Sequence, residues 1–278
     1  MGSHYAGLEI NTLNLIDGLR AKGHQVRVIV SKWNDGELIQ RLDERQLDYE
    51  LIAFGKIGGL KKVVQLGWLK DTLINYFDAH KQLNSHLAHH KPDVTVVFNR
   101  DVAFLASRAL RRVPSIFHCD ELSTTSFKVR MVYRSISKAV TSCIAVSRSV
   151  KSELGLLGFS QDKIDVIYNG VETDQSSSAG GERDTVQIGI CGQVGEWKGH
   201  EDLVLALAKL DGLGLNFRCL IFGRGTEEYT VEMEQLIEKH SLQSRVVWKG
   251  FVENPGEIYP QIDILAAPSR CVEAFGLV

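Results

Sequence analysis

Short, continuously apolar runs rich in β-branched residues recur along this chain, separated by stretches with helical spacing. This alternation limits the possible folds more than any other feature. The runs are VRVIV (26–30), DVTVVF (93–98), PSIFH (114–118), SCIAV (142–146), VQIGIC (186–191), FRCLIF (217–222), RVVW (245–248) and DILAAP (263–268). Continuous rather than alternating hydrophobicity marks strands buried on both faces of a parallel sheet. Leu8, Thr12, Leu15 and Leu19 have helical spacing, as do Leu203, Leu205, Leu207 and Leu210. Strand and crossover helix therefore alternate in both halves, which predicts an α/β chain with parallel sheets, twice over.

The boundary between the halves is visible in composition. After KIDVIYNG (163–170), the polar, Ser/Gly-rich stretch VETDQSSSAGGERDT (171–185) has no periodicity and reads as a linker. The expected organisation is a first domain over 1–170, a linker over 171–185 and a second domain over 186–278. Charge divides in nearly the same place: up to residue 165 there are 23 basic and 17 acidic residues, and beyond it 9 and 17, so +6 and −8 sum to the net −2. Such asymmetry favours two domains with different partners. With 44% hydrophobic and 24% charged residues, the chain is neither disordered nor fibrous. Five scattered cysteines (Cys119, Cys143, Cys191, Cys219, Cys271) form neither a disulfide framework nor a zinc cluster, which points to the cytoplasm. No apolar run approaches the roughly 20 residues of a membrane helix, and no signal peptide pattern opens the chain. Helix-like sequence begins within the first ten residues, where a strand is expected, and the chain stops at Gly276-Leu277-Val278. Both ends therefore read as cut.

Several segments carry residues suited to chemistry. Gly7, beside Ala6 and Glu9, sits at the expected start of the first helix, where free amides and the helix dipole favour an anion, although glycine there is more often a simple turn. In CGQVGEWKGHEDLVLAL (191–207) a strand ends at Gly192 and Lys198-Gly199 opens a helix, placing an ammonium and free amides together. A diphosphate suits that pairing, and a solvated loop lysine is an equal reading. Gly223 and Gly225 flank Arg224 in FGRGTEE (222–228), a weak G-x-G that does not extend to the dinucleotide fingerprint G-x-G-x-x-G. CVEAFGLV (271–278) places Glu273 beside Gly276, where a carboxylate accepts from sugar hydroxyls or simply faces solvent. PSIFHCDEL (114–122) puts His118, Asp120 and Glu121 just past a strand, where open α/β sheets hold ligands. His118 is then a donor and Asp120 or Glu121 a base, against a structural histidine as the plainer reading. No catalytic triad order, H-E-x-x-H or P-loop appears.

In their order and spacing these segments resemble glycosyltransferase family 4, the nucleotide-sugar-dependent retaining enzymes of GT-B architecture, over nearly the whole chain. The matching segments are Ala6-Gly7-Leu8-Glu9 against the family's G-G-x-E, His118 in IFHCDE, AVSRSVKSEL (145–154), VIYNGVE (166–172), GQVGEWKGHEDL, LIFGRGTE, WKGFVENPGEIYPQIDILAAPSR and EAFGLV. The resemblance implies two Rossmann-like domains facing across a cleft, the first on the acceptor side and the second binding the donor. It implies sugar transfer from a UDP-, GDP- or ADP-linked donor to a sugar or lipid-linked acceptor hydroxyl, with retention and without metal or cofactor, in cell-surface polysaccharide or glycolipid synthesis. By the same resemblance Gly7 faces the donor diphosphate, His118 contacts the transferred sugar and Lys198 neutralises the departing diphosphate. Glu273 corresponds to the first glutamate of the family's E-x7-E and binds the donor sugar. Gln193, Gly223 and Arg224 fall among donor-binding positions. Amides around Phe275, Gly276 and Leu277 hold phosphate and sugar, and Gly250, Phe251 and Val252 lie against the nucleobase.

Two departures stand out. The family commonly has arginine where Gln193 stands, a loss of about a few kcal/mol of transition-state stabilisation unless compensated, which leaves open whether Arg224 substitutes. The second glutamate of E-x7-E falls at position 281, beyond Val278, which weakens the expected donor grip. Two other functions stay in view: a nucleotide-sugar epimerase of the same two-domain shape, and a non-catalytic nucleotide-sugar-binding module. KIGGLKKVVQLGWLKDTLINYF (56–77) mixes Lys56, Lys61, Lys62 and Lys70 with Val63, Val64, Leu66, Trp68 and Leu69. A basic, tryptophan-bearing amphipathic segment suits peripheral contact with the inner membrane leaflet, and equally a helix packed on the sheet with its lysines in water. No feature suggests nucleic acid as a partner.

Overall fold

The computed structural model describes residues 7–32, 36–52, 66–122, 126–170, 183–252 and 254–276. The apolar runs form strands near where the pattern puts them, and polar residues between them cap the helices. The chain divides into two units between Gly170 and Val171. In the first, β1 (Val28–Ser31) pairs in parallel with β2 (Tyr49–Ile52). A second parallel sheet runs in the order β3 (Thr95–Val97), β4 (Ser115–Cys119), β5 (Ser142–Ala145), β6 (Ile164–Val166). Seven helices accompany these strands among the described residues: α1 (Gly7–Ala21), α2 (Glu37–Glu44), α3 (Leu66–His90), α4 (Arg100–Leu105), α5 (Ser107–Leu110), α6 (Phe127–Ala139) and α7 (Arg148–Leu157). Asn99, Ser126 and Ser147 cap α4, α6 and α7 by accepting from free amides of the first turn. Phe117, Tyr133 and Phe159 pack together with ring centroids 6.1–6.2 Å apart, joining β4, α6 and the turn after α7.

The second unit is one parallel sheet of order β10 (Ile264–Leu265), β7 (Val186–Cys191), β8 (Phe217–Phe222), β9 (Val246–Gly250), with α8 (His200–Gly212) and α9 (Glu227–Lys239). Strand β8 is buried along its length except at Arg218, the both-faces burial that a continuous apolar run predicts. The order β10-β7-β8 sets loops distant in sequence side by side at the carboxyl ends of the strands, where α/β sheets bind ligands.

Some expectations need adjustment. Strand β2, with Glu50 exposed, is not among the apolar runs named from the sequence. Val204 and Leu207 of α8 are buried, whereas Leu205 is exposed, because a helix turns its face away after two residues. In α1 the core residues are Leu13 and Ile16, between the spaced positions Leu8, Thr12, Leu15 and Leu19. Residues 171–182 of the expected linker and 56–65 of the expected amphipathic segment lie outside the described residues, and α3 begins at Leu66. Arg183 to Thr185 are tied to the second unit: Arg183 donates to Pro260 O at 2.6 Å and Gln261 O at 3.1 Å, and Asn216 donates to Thr185 Oγ1 at 2.8 Å.

Candidate active site

The second unit's candidate site starts from two glycine turns. The loops leaving β7 and β8 run side by side, with Gly192 N donating to Phe222 O at 3.0 Å, Val194 N to Arg224 O at 2.8 Å and Gly223 N to Gly250 O at 2.8 Å. Gly223 has φ +142°, and a Cβ there would lie 1.8 Å from Gly192 O. The close approach of these two backbones therefore requires glycine. The loops expose main chain at the strand ends and bring Arg224 over the Phe251 ring, its guanidinium carbon 5.3 Å from the centroid.

Lys198 closes a 3-10 turn (Glu196–Lys198) just before α8. Gly199 follows at φ +73°, where a Cβ would come 2.1 Å from Pro268 O. That contact presses the turn against the loop leaving β10. Across it the Lys198 Nζ meets Glu273 Oε1 at 2.5 Å, and Ser269 Oγ donates to the same oxygen at 2.6 Å. The Lys198 ammonium, and then the Ser269 hydroxyl, hold the Glu273 carboxyl below the usual carboxylate range, so it is ionised at neutral pH. Lys198 also lies against Gly192: a Cβ on that glycine would be 3.9 Å from Nζ. An ammonium, a carboxylate and a hydroxyl thus converge beside the start of α8, a set able to bind a diphosphate and sugar hydroxyls. Next to it, His200 is buried with Nδ1 3.3 Å from Gly195 O and no partner for Nε2, and burial lowers its pKa.

In the first unit, His118 lies in β4 with its ring centroid 4.8 Å from that of Phe98. It is buried, its Nδ1 has no hydrogen-bond partner, and burial depresses its pKa. The imidazole is therefore neutral at pH 7, able to donate from one nitrogen and accept at the other. Glu121 pairs with Arg100 at 3.4 Å, whereas burial first, and then the charges of Glu121 and Glu9, push the Asp120 carboxyl up to about 6. Burial raises the Glu121 carboxyl as well, with the Arg100 charge opposing it, so both carboxylates considered as a base are shifted toward neutrality, Asp120 to about 6. Folding favours the neutral form of Asp120, so that stability is fully present below 3.8 and lost as pH rises through about 6. Asp120→Asn is expected to remove a loss on the order of 2 kcal/mol between pH 4 and pH 7. Urea unfolding of both proteins at the two pH values checks it, since His118, whose lowered pKa works in the opposite direction, is common to both.

Gly7 is the first residue of α1, Gln193 is exposed on the β7 loop, and Gly250 ends β9 at φ +72°. Phe251 is exposed, and Val252 packs beside the cluster of Leu220, Phe222 and Ile258. Phe275 and Gly276 follow Glu273, and Leu277 lies outside the described residues. The structure adds Ser269 and Arg270 to the site. Both follow an apolar strand as part of APSR, and nothing in their residue type separates them from ordinary surface. A cavity of about 570 Å³ at the opposite end of this sheet is lined by Arg183, Gln187, Asn216, Arg218 and Arg245 among others. Arg183 and Arg245 are engaged there by Asp263 and Asp211, and none of the predicted site residues reaches it. Among the described residues no three His, Cys, Asp or Glu side chains converge as metal ligands.

Residues 5–175 match the family model described as Glycosyltransferase Family 4. The chain belongs to glycosyltransferase family 4. Residues 172–278 of this family 4 chain match a second model, Glycosyl transferases group 1. Among curated proteins it is 28% identical over 127 residues to the 2-deoxystreptamine glucosyltransferase of Streptomyces kanamyceticus, a match covering 41% of this chain and 32% of that protein. The match thus spans about a third of the relative's length. Its fold is the GT-B fold of solved glycosyltransferases. Anabaena HepE in complex with UDP-glucose superposes with a TM-score of 0.74 at 18% identity, over 99% of this chain and 74% of that one. A glycosyltransferase from Rickettsia africae gives 0.73 at 22% identity, over 98% and 72%.

Proposed function

We propose that the protein is a retaining glycosyltransferase that moves a sugar from a nucleotide-diphosphate donor to an acceptor hydroxyl, with donor chemistry centred on Lys198 and Glu273. The observation that carries this reading is the 2.5 Å pair between these side chains, backed by Ser269, at the start of α8. A diphosphate that takes up Lys198 releases the Glu273 carboxylate to accept from the sugar's hydroxyls. When the bond from the anomeric carbon to the diphosphate breaks, negative charge grows on the leaving group. In this reading Lys198 and the amides opening α8 stabilise that charge, and no metal is required. The acceptor oxygen bonds to the same carbon on the same face, and its proton is released. Neutral His118 is assigned to a sugar hydroxyl, Gly7 to the diphosphate, and Asp120 to the acceptor proton. The loops bearing Gln193, Gly223 and Arg224, the backbone of 250–252, and residues 275–277 complete the donor site. Because the HepE structure holds UDP-glucose, a UDP-sugar is the first donor to try.

The test is a donor screen on the full-length protein, following release of UDP, GDP or ADP with and without lipid extract. Release from one donor, stimulated by acceptor, supports transfer. An isomerised nucleotide sugar formed without acceptor would make the protein an epimerase, and binding without turnover of any donor would make it a binding module. No helix among the described residues is long and apolar enough to cross a membrane. The lysine- and tryptophan-bearing segment 56–77, in the half of the chain with charge +6, supports a cytoplasmic enzyme docked on the inner leaflet to reach a lipid-linked acceptor for polysaccharide or glycolipid synthesis. Full-length protein is expected to cosediment with anionic vesicles at low salt and to leave them at high salt. No binding at low salt would end the docking idea.

A further inference from the structure

The donor site has an electrostatic difficulty. An amino-terminal helix end attracts anions through its free amides, yet the first turn of α8 carries Glu201 and Asp202. Two carboxylates at that position repel an incoming diphosphate. Arg270, on the loop after β10, engages both. Its Nε and Nη2 donate to Asp202 Oδ2 and Oδ1 at 2.6 and 2.7 Å, and Nη2 donates to Glu201 Oε2 at 2.9 Å. Glu196 stands 3.9 Å from Nη1. The backbone N–H of Arg270 donates to Trp197 O at 2.9 Å, next to Lys198. Three residues further on, the loop delivers Glu273 to the Lys198 ammonium.

We infer that Arg270 is a positioning residue for the donor site: it discharges Glu201 and Asp202 so that α8 can receive a diphosphate, and it pins the loop that carries Glu273. This rests on the donor-site reading proposed above. Arg270 contacts neither Lys198 nor Glu273 through its guanidinium, and its effect passes through the helix end and the loop. The planar fork matters, because one Asp202 carboxylate takes two parallel bonds while a donor remains for Glu201, a division that a lysine ammonium reproduces poorly. Ion pairs this exposed add little to stability, so the main effect falls on donor binding.

The experiment is calorimetric titration of the full-length protein with UDP, GDP and ADP separately, with the thermal midpoint of each variant recorded alongside. Arg270→Met is expected to weaken the diphosphate that wild type binds by roughly 10- to 100-fold, with Arg270→Lys in between and the thermal midpoint little changed. Adding Glu201→Gln and Asp202→Asn to Arg270→Met is expected to recover much of the lost affinity, a rescue that a purely structural arginine would not allow. Affinity unchanged in both Arg270→Met and Arg270→Lys, or a triple variant as weak as Arg270→Met, overturns the inference while leaving the donor site standing. A wild-type protein that binds none of the three diphosphates overturns the donor-site reading and this inference with it.

Discussion

Replacing Lys198 by alanine is expected to lower kcat of the full-length enzyme by roughly 10²–10³-fold, the usual effect of removing one preorganised group that faces charge developing in a transition state. The reason lies in where the ammonium sits. Lys198 is mostly shielded, with side-chain exposure of 24% against 32% for Glu273, in a turn fixed by the approach of Gly199 to Pro268. Its charge is thus held in place before any substrate arrives, and little reorganisation is needed as the diphosphate departs. The loss should appear in kcat more than in KM, because the leaving group's charge is greatest in the transition state. Single-turnover measurements at saturating donor separate the two. Lys198→Arg retains the charge on a different shape and should recover only part of the rate. If Lys198→Ala turned over as fast as wild type, the diphosphate would lie elsewhere.

Gly223→Ala is the substitution with the largest expected effect on folding. A Cβ there would stand 1.8 Å from Gly192 O and 2.9 Å from its carbonyl carbon, in a conformation of φ +142° that L-residues rarely adopt. Neither obstacle can relax cheaply. Gly192 is fixed by its bond to Phe222 O, and Gly223 by its bond to Gly250 O. Backbone strain of this kind alone costs about 1–3 kcal/mol. With the clash added, a destabilisation of about 3–5 kcal/mol is expected, at the upper end for single substitutions. Chemical denaturation followed by far-ultraviolet circular dichroism measures it. Gly212→Ala is the control: that glycine lies in α8, and a Cβ there meets nothing within 4 Å. Alanine is expected to leave that position at least as stable as wild type.

The fold is legible in the sequence because parallel strands buried on both faces leave near-continuous apolar runs, as in Ile188–Cys191 of β7 and Cys219–Phe222 of β8. Strand β2, in which Glu50 is the charged residue as Arg218 is in β8, is passed over. In α8 the expected Leu203 and Leu207 are buried, and Val204 rather than Leu205 joins them, a difference that residue type does not show because the two are equally apolar. Lys198 and Glu273 each stood out, for separate reasons and 75 residues apart. That they bond to each other follows from the strand order, in which β10 and β7 are neighbours, and strand order is not written in local pattern. Ser269 and Arg270 were invisible for a different reason. Their residue types are common at surfaces, and their part depends on partners at Glu273, Glu201 and Asp202 that only the folded loop supplies. Asp120 and Glu121 look equivalent in sequence, and what distinguishes them in the fold is the ion pair of Glu121 with Arg100, although burial raises both carboxyls.

The most direct test of the donor site is a pair of calorimetric titrations on the full-length protein, with UDP and with UDP-glucose, in wild type, Lys198→Ala and Glu273→Gln. Lys198→Ala is expected to weaken both ligands together. Glu273→Gln, which leaves the ammonium free for the diphosphate, is expected to keep UDP affinity but to lose the added affinity contributed by the sugar. Equal binding of UDP-glucose by all three proteins would place the donor site elsewhere.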